Sequence, residues 1–176
     1  DTIFVHAGLY YEYVYVDKSI SLIGENRSTT VVDGNGIGTV ISIEPAPAHH
    51  VNVTGFTIRN GMNGIFIRTS NNIISGNIVT DNVHGIYMSA PCYCTPAREN
   101  TIRNNTIKNN GAGILLGASK DNIIYHNNFI NNTGQAYYPI SESYSNVWDN
   151  DYPSGGNYWS DYEERYPDAE ELDSSG

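Results

Sequence analysis

Soft donors gather in one stretch of this 176-residue chain: Cys92-x-Cys94, with Met88, His84 and Met62 upstream. Thiolate, thioether and imidazole ligands would suit Cu(I) or Zn²⁺. In an exported chain a Cys-x-Cys pair reads more strongly as a disulfide, closed on itself or onto a neighbouring chain. Carboxylates offer less. Only Asp81, Glu99 and Asp121 occur between residues 51 and 132, and they fall at three different repeat positions. Asp81 is matched by Asn109 and Asn131, so no second carboxylate completes an acid/base pair. No catalytic residue is assigned, and the chain is not expected to be an enzyme. Asp149, Asp151 and Asp161 could ligate Ca²⁺ if the C-terminal segment folds them together, and otherwise form a solvated acidic cap. Apart from that Ca²⁺, no cofactor is expected. Tyr10, Tyr11, Tyr13, Tyr15, Phe66 and Tyr87 are aromatics that could stack on sugar rings or meet another protein.

What must position these groups is a repeat. Asn72-x-Ile74-x-x-Asn77-x-Val79-x-x-Asn82 recurs as Asn100-x-Ile102-x-x-Asn105-x-Ile107-x-x-Asn110. It recurs again as Asn122-x-Ile124-x-x-Asn127-x-Phe129-x-x-Asn132. The copies start 28 and 22 residues apart, a period of about 22 with one insertion. Helical repeats are longer and follow a 3.6-residue apolar pattern. Apolar residues every five positions, among Asn, Gly and Thr, give short strands and tight corners. The reading is an all-β parallel β-helix of about six coils, each pairing with the next at a rise of about 4.8 Å. Ile74, Ile102 and Ile124 should then stack inside, and Asn77, Asn105 and Asn127 at a corner. Stacked Asn tolerates left-handed backbone and bonds along the axis, so all nine asparagines read as structural.

A degenerate copy, Val51-x-Val53-x-x-Phe56-x-Ile58-x-x-Gly61, precedes the three. A second strand set interleaves: Gly64-Ile-Phe-Ile67, Gly85-Ile-Tyr-Met88 and Gly113-Ile-Leu-Leu116. Ile65, Ile86 and Ile114 should stack inside, as should Ile67, Met88 and Leu116. Phe66, Tyr87 and Leu115 then form an outward apolar stripe. Each glycine is read as the turn that enters its strand. Tyr13-Val-Tyr-Val16 alternates, with Val14 and Val16 inward and the tyrosines out. Glu44-Pro-Ala-Pro-Ala48 should leave the ladder, because proline has no N–H to donate. His49 and His50 read as a solvated turn. The insertion, Ala90 to Ala97, should project from one face.

The bulk numbers narrow the partners. A net charge of −10 argues against nucleic acid or an anionic membrane, and no apolar run is long enough for a membrane span. The chain has no initiator Met or signal peptide and opens within a strand-like stretch, so it is read as a mature or excised fragment. Sequons stand at Asn26, Asn52, Asn104 and Asn131, glycan candidates if the protein is exported. Residues 1–162 form one domain, with an aromatic cap from about Asn146; residues 163–176 read as an acidic tail or linker.

Three stretches carry a family resemblance. Thr2-Ile-Phe-Val-His-Ala-Gly-Leu-Tyr-Tyr-Glu12, Lys18-Ser-Ile-Ser-Leu-Ile-Gly24 and Val32-Asp-Gly34 resemble the first coils of pectin-lyase-like β-helices. The Asn/Ile/Gly repeats resemble the NosD-type (CASH-domain) branch. Gly156-Asn-Tyr-Trp-Ser-Asp-Tyr162 is similar to a motif that ends such repeats in archaeal cell-surface proteins. The resemblance covers residues 2–162. It implies a right-handed, three-faced helix, export to the cell surface, and polysaccharide association. The catalytic motifs of the family's polysaccharide-degrading enzymes are absent. NosD itself is linked to copper-site maturation.

These observations lead to an extracellular, non-catalytic building block of an envelope layer, sheath or filament. It would contact itself or neighbouring envelope proteins through open β-helix ends. The alternatives are a carbohydrate-binding module using Tyr13, Tyr15, Phe66 and Tyr87, a polysaccharide lyase or hydrolase, and a copper accessory protein.

Overall fold

The computed structural model describes residues 1–44, 49–89, 96–138 and 145–169. Its strands are short because Gly, Asn and Asp break the chain every five or so residues. The first coil holds β1 (Thr2–Val5), β2 (Gly8–Tyr10) and β3 (Val14–Val16). The second holds β4 (Ser21–Gly24), β5 (Thr30–Asp33) and β6 (Thr39–Ile43), and the third β7 (Asn52–Thr54), β8 (Thr57–Arg59) and β9 (Asn63–Ile67). The fourth holds β10 (Ile73–Ser75), β11 (Ile78–Thr80) and β12 (His84–Met88). The fifth adds a short β13 (Ala97–Arg98) to β14 (Thr101–Arg103), β15 (Thr106–Lys108) and β16 (Ala112–Leu116). In the sixth, β17 (Ser119–Lys120) precedes β18 (Ile123–Tyr125), β19 (Asn128–Ile130) and β20 (Gly134–Tyr137). A two-residue β21 (Tyr158–Trp159) and one helical turn, α1 (Tyr162–Arg165), close the described chain.

Each coil contributes one strand to each of three parallel faces. The first face runs β1-β4-β7-β10-β14-β18, the second β2-β5-β8-β11-β15-β19-β21, and the third β3-β6-β9-β12-β16-β20. The protein is a right-handed parallel β-helix of six coils, as its period predicts.

The core is a bundle of aliphatic rows, each repeating once per coil. Leu22, Val53, Ile74, Ile102 and Ile124 are in register on the first face. Val32, Ile58, Val79, Ile107 and Phe129 do the same on the second. The third face supplies two rows, Ile41-Ile65-Ile86-Ile114 and Ile43-Ile67-Met88-Leu116. All of these side chains are buried, Met88 completely. Val16 is buried and Val14 half-buried in the first coil, and Tyr13 and Tyr15 point out.

The glycines that open the third-face strands act differently from the expectation. Gly64, Gly85 and Gly113 are the second residues of their strands and do not have left-handed backbone. They are required by crowding. A Cβ on Gly85 would lie 2.5 Å from the Gly113 carbonyl oxygen and 3.0 Å from Asn110 Nδ2. Left-handed backbone sits instead just before the corner positions. Gly76, Asn104 and His126 occupy it before Asn77, Asn105 and Asn127. Asn60, Asp81, Asn109 and Asn131 occupy it at the next corner, where amide and carboxylate side chains tolerate it.

Candidate functional site

The corner asparagines form three ladders with one geometry. In each, Oδ1 accepts the backbone N–H of the equivalent residue one coil earlier. The first ladder binds Val51, Asn72 and Asn100 through Asn72, Asn100 and Asn122 at 2.9–3.0 Å. The second binds Phe56, Asn77 and Asn105 through Asn77, Asn105 and Asn127 at 3.0–3.1 Å. The third binds Gly61, Asn82 and Asn110 through Asn82, Asn110 and Asn132 at 2.9–3.0 Å. The amide nitrogen reaches back too: Asn105 Nδ2 donates to Ile74 O at 2.9 Å and Asn127 Nδ2 to Ile102 O at 2.8 Å. Every ladder asparagine but Asn72, whose Nδ2 donates to Thr69 Oγ1 and Asn100 Oδ1, thus clamps an N–H and a C=O of the preceding coil, groups that would otherwise be buried without partners.

The aromatic cap continues the pattern. Asn146 accepts from Asn122 N at 3.2 Å, and Asn157 accepts from Asn127 N at 3.0 Å. The third ladder ends differently. Asn132 Nδ2 donates to Gln135 Oε1 at 2.8 Å, and Gln135 Nε2 donates to Ser160 Oγ and Asp161 Oδ1. Trp148 and Trp159 pack on the last core side chain, Phe129. Tyr138 receives the Trp148 Nε1 hydrogen bond at 2.8 Å, and its burial raises the phenol pKa above the ordinary value.

The other sequence candidates are scattered. Asn26, Asn104 and Asn131 are exposed at corners, whereas Asn52 is half-buried on the first face with its Oδ1 buried and unpartnered. Cys92 and Cys94 lie outside the described residues, as do residues 45–48 of the proline stretch and 90–95 of the insertion. Of the soft donors, Met88 is core and Met62 is exposed. His84 Nδ1 lies 2.9 Å from Asn63 Oδ1, and burial lowers its pKa. His50 is exposed with left-handed backbone; His49 is half-buried with its Nδ1 unpartnered. The cap does not unite Asp149, Asp151 and Asp161. Asp149 caps the Asp151 N–H, while Asp161 pairs with Arg165 and Gln135. Among the described residues, no three His, Cys, Asp or Glu side chains are placed to hold a metal ion.

The aromatics form an outward row on the third face: Tyr15, Ser42, Phe66, Tyr87, Leu115 and Tyr137 are in register. The Phe66 and Tyr87 rings are 5.0 Å apart and tilted by 32°. The row is less open than its pattern predicts. Leu115 is only 8% exposed, and the Arg68 guanidinium, paired with Glu44 at 2.9 Å, stands over Phe66. Tyr13 is exposed beside this face, its hydroxyl donating to Gly34 O at 3.0 Å.

A groove of about 720 Å³, which the sequence did not reveal, runs along the corner between the second and third faces. Its wall includes Asp33, whose carboxylate accepts from Arg59 Nε at 2.8 Å, Asn60 Nδ2 at 2.9 Å and the Asn35 N–H at 2.9 Å. Burial pushes the Asp33 pKa up, but these donors outweigh it and hold the carboxyl below its ordinary value. The only sequence signal for the groove was Asp81 at a position where other coils carry asparagine.

The strand ladders, clamped corners and aromatic cap define a laddered parallel β-helix. The family model described as "Periplasmic copper-binding protein (NosD)" matches residues 91–164, less than half of the chain. This span holds the last two coils and the cap, and match and fold together fit a NosD-type parallel β-helix. Comparison with curated proteins and with solved structures returns no match. No helix among the described residues is long and apolar enough to cross a membrane.

Proposed function

We propose that this protein is an exported, non-catalytic β-helix that serves as a structural building block at the cell surface. The observation that carries this reading is the use of the asparagines. All nine bond to the backbone or side chains of neighbouring coils, and all are buried or nearly so. The most regular polar groups in the chain therefore build the scaffold itself. Three of the four sequons stand on exposed corners, where glycans fit without disturbing the core. The periplasmic description of the matching family agrees with export. Electron microscopy of the native envelope tests the proposal. Ordered layers or filaments carrying the protein are expected; dispersed monomers free of the envelope would overturn it.

A second reading is carbohydrate contact through the third face, favoured by the register of Tyr15, Phe66, Tyr87 and Tyr137. Loss of glycan-array binding on Tyr15→Ala and Tyr87→Ala would support it. Stoichiometric copper in the native protein would instead favour the activity printed for the matching family.

A further inference from the structure

Asparagine followed by glycine can react with its own backbone. Four Asn-Gly pairs occur in the chain: Asn35-Gly36, Asn60-Gly61, Asn63-Gly64 and Asn110-Gly111. At such a pair the glycine nitrogen can attack the asparagine carboxamide, because no Cβ crowds the approach. The attack needs a side chain free to rotate, a glycine nitrogen released from its hydrogen bond, and a backbone able to leave its resting angles.

The fold withholds these from three of the pairs. Asn110 is buried; its Nδ2 donates to Lys108 O and Asn132 Oδ1, both at 2.9 Å, and its Oδ1 accepts the Asn82 N–H at 3.0 Å. Asn63 lies in β9, with Nδ2 donating to Thr39 Oγ1 at 2.9 Å and Oδ1 2.9 Å from His84 Nδ1. Asn60 Nδ2 donates to the Asp33 carboxylate at 2.9 Å, and the Gly61 N–H is held by Asn82 Oδ1 at 2.9 Å inside a ladder.

Asn35 differs. It is exposed, its backbone N–H donates to Asp33 Oδ1 at 2.9 Å, and among the described residues its carboxamide has no partner. Asn35 and Gly36, with φ of 50° and 80°, form the tip of a tight turn that Ile37 N–H closes onto Gly34 O at 3.0 Å. One more bond, from Gly36 N–H to Asn60 O at 2.7 Å, ties the tip to the third coil. Gly36 and Ile37 are exposed as well, so opening the tip uncovers no core. Segments with so few buried contacts open far more often than the molecule as a whole.

We infer that Asn35 is a site of spontaneous deamidation, singled out from the other pairs by the fold. When the tip opens, the Gly36 nitrogen gives its proton to solvent and bonds to Cγ of Asn35. The Cγ–Nδ2 bond breaks, and the nitrogen leaves as ammonia with a proton from solvent. Water then opens the resulting succinimide. Cleavage of the new Cγ–N bond gives aspartate; cleavage of the original peptide bond gives isoaspartate. Either product adds a negative charge to the groove wall that Asn35 and Gly36 share with Asp33 and Asp81. The isoaspartyl product also lengthens the main chain by one atom, where the tip bonds the third coil. The inference does not depend on the building-block reading.

Incubation of the intact chain in mildly alkaline buffer made with heavy-oxygen water, followed by peptide mapping, is the experiment. Position 35 should gain heavy oxygen, as aspartate and isoaspartate, at least about tenfold faster than positions 60, 63 and 110. In the urea-unfolded chain the four positions should react at similar rates. Gly36→Ala should slow the reaction at position 35 by about tenfold, although it strains the turn. Asn35→Gln should abolish the signal there and keep the thermal unfolding of the wild type. Equal rates at the four positions of the folded chain, the same preference for position 35 after unfolding, or equal rates in wild type and Gly36→Ala would overturn the inference.

Discussion

The indole of Trp159 lies flat on the ring of Phe129, with centroids 4.4 Å apart and planes 9° from parallel. Phe129 ends the second-face core row, so the indole closes a stack that would otherwise open to water. Trp159→Ala should cost about 2–4 kcal/mol, measured by urea unfolding. Amide exchange should quicken in β18–β20 before it does in β7–β9.

Asn105 sits in the middle of its ladder, fully enclosed. Asn105→Ala would strand the Asn77 N–H and the Ile74 carbonyl, a loss of about 2–5 kcal/mol. Asn105→Asp should be worse at neutral pH, because a carboxylate would face the acceptors Ile74 O and Asn127 Oδ1. Burial there would raise that carboxyl's pKa, so the variant's stability should recover as pH falls. Equilibrium unfolding at several pH values checks both.

Asp33 makes the opposite pH prediction. Its folded pKa is depressed, so its stabilisation is present above the ordinary carboxylate range and is lost as pH falls through the folded value. Wild type and Asp33→Asn should differ in urea midpoint at neutral pH and converge in acid. A constant gap would show that the charge plays no part.

Two glycines separate crowding from backbone strain. At Gly85 an added methyl meets the Gly113 carbonyl, so Gly85→Ala should destabilise by about 1–3 kcal/mol. At Gly36 nothing lies within 4 Å, but φ is +80°, so Gly36→Ala should cost only about 1 kcal/mol. Thermal unfolding of the two variants ranks them.

The fold was legible because a clamp that bonds coil to coil must place its residue once per coil. The same rule explains what escaped notice. Asn157 joins the second ladder 30 residues after its partner Asn127, so no fixed period shows it. The third-face glycines were misread because crowding between coils leaves no mark within one segment. Leu115 keeps the outward register of Phe66 and Tyr87 yet is buried, which alternation alone does not register. The groove draws on unlike residues at different repeat positions in five coils, and only Asp81 departed from the template.

The clamps also give the stack a direction in time. A corner's N–H is satisfied by a side chain of the coil that comes after it. On a ribosome each turn would stay unfinished until its successor emerged. The sixth turn waits for Asn146, Asn157 and Ser160, which bond Asn122, Asn127 and Asn131. The closing Asn-Tyr-Trp-Ser stretch is thus a completion signal: until it is made, the newest edge still presents the open amides that would accept any passing strand.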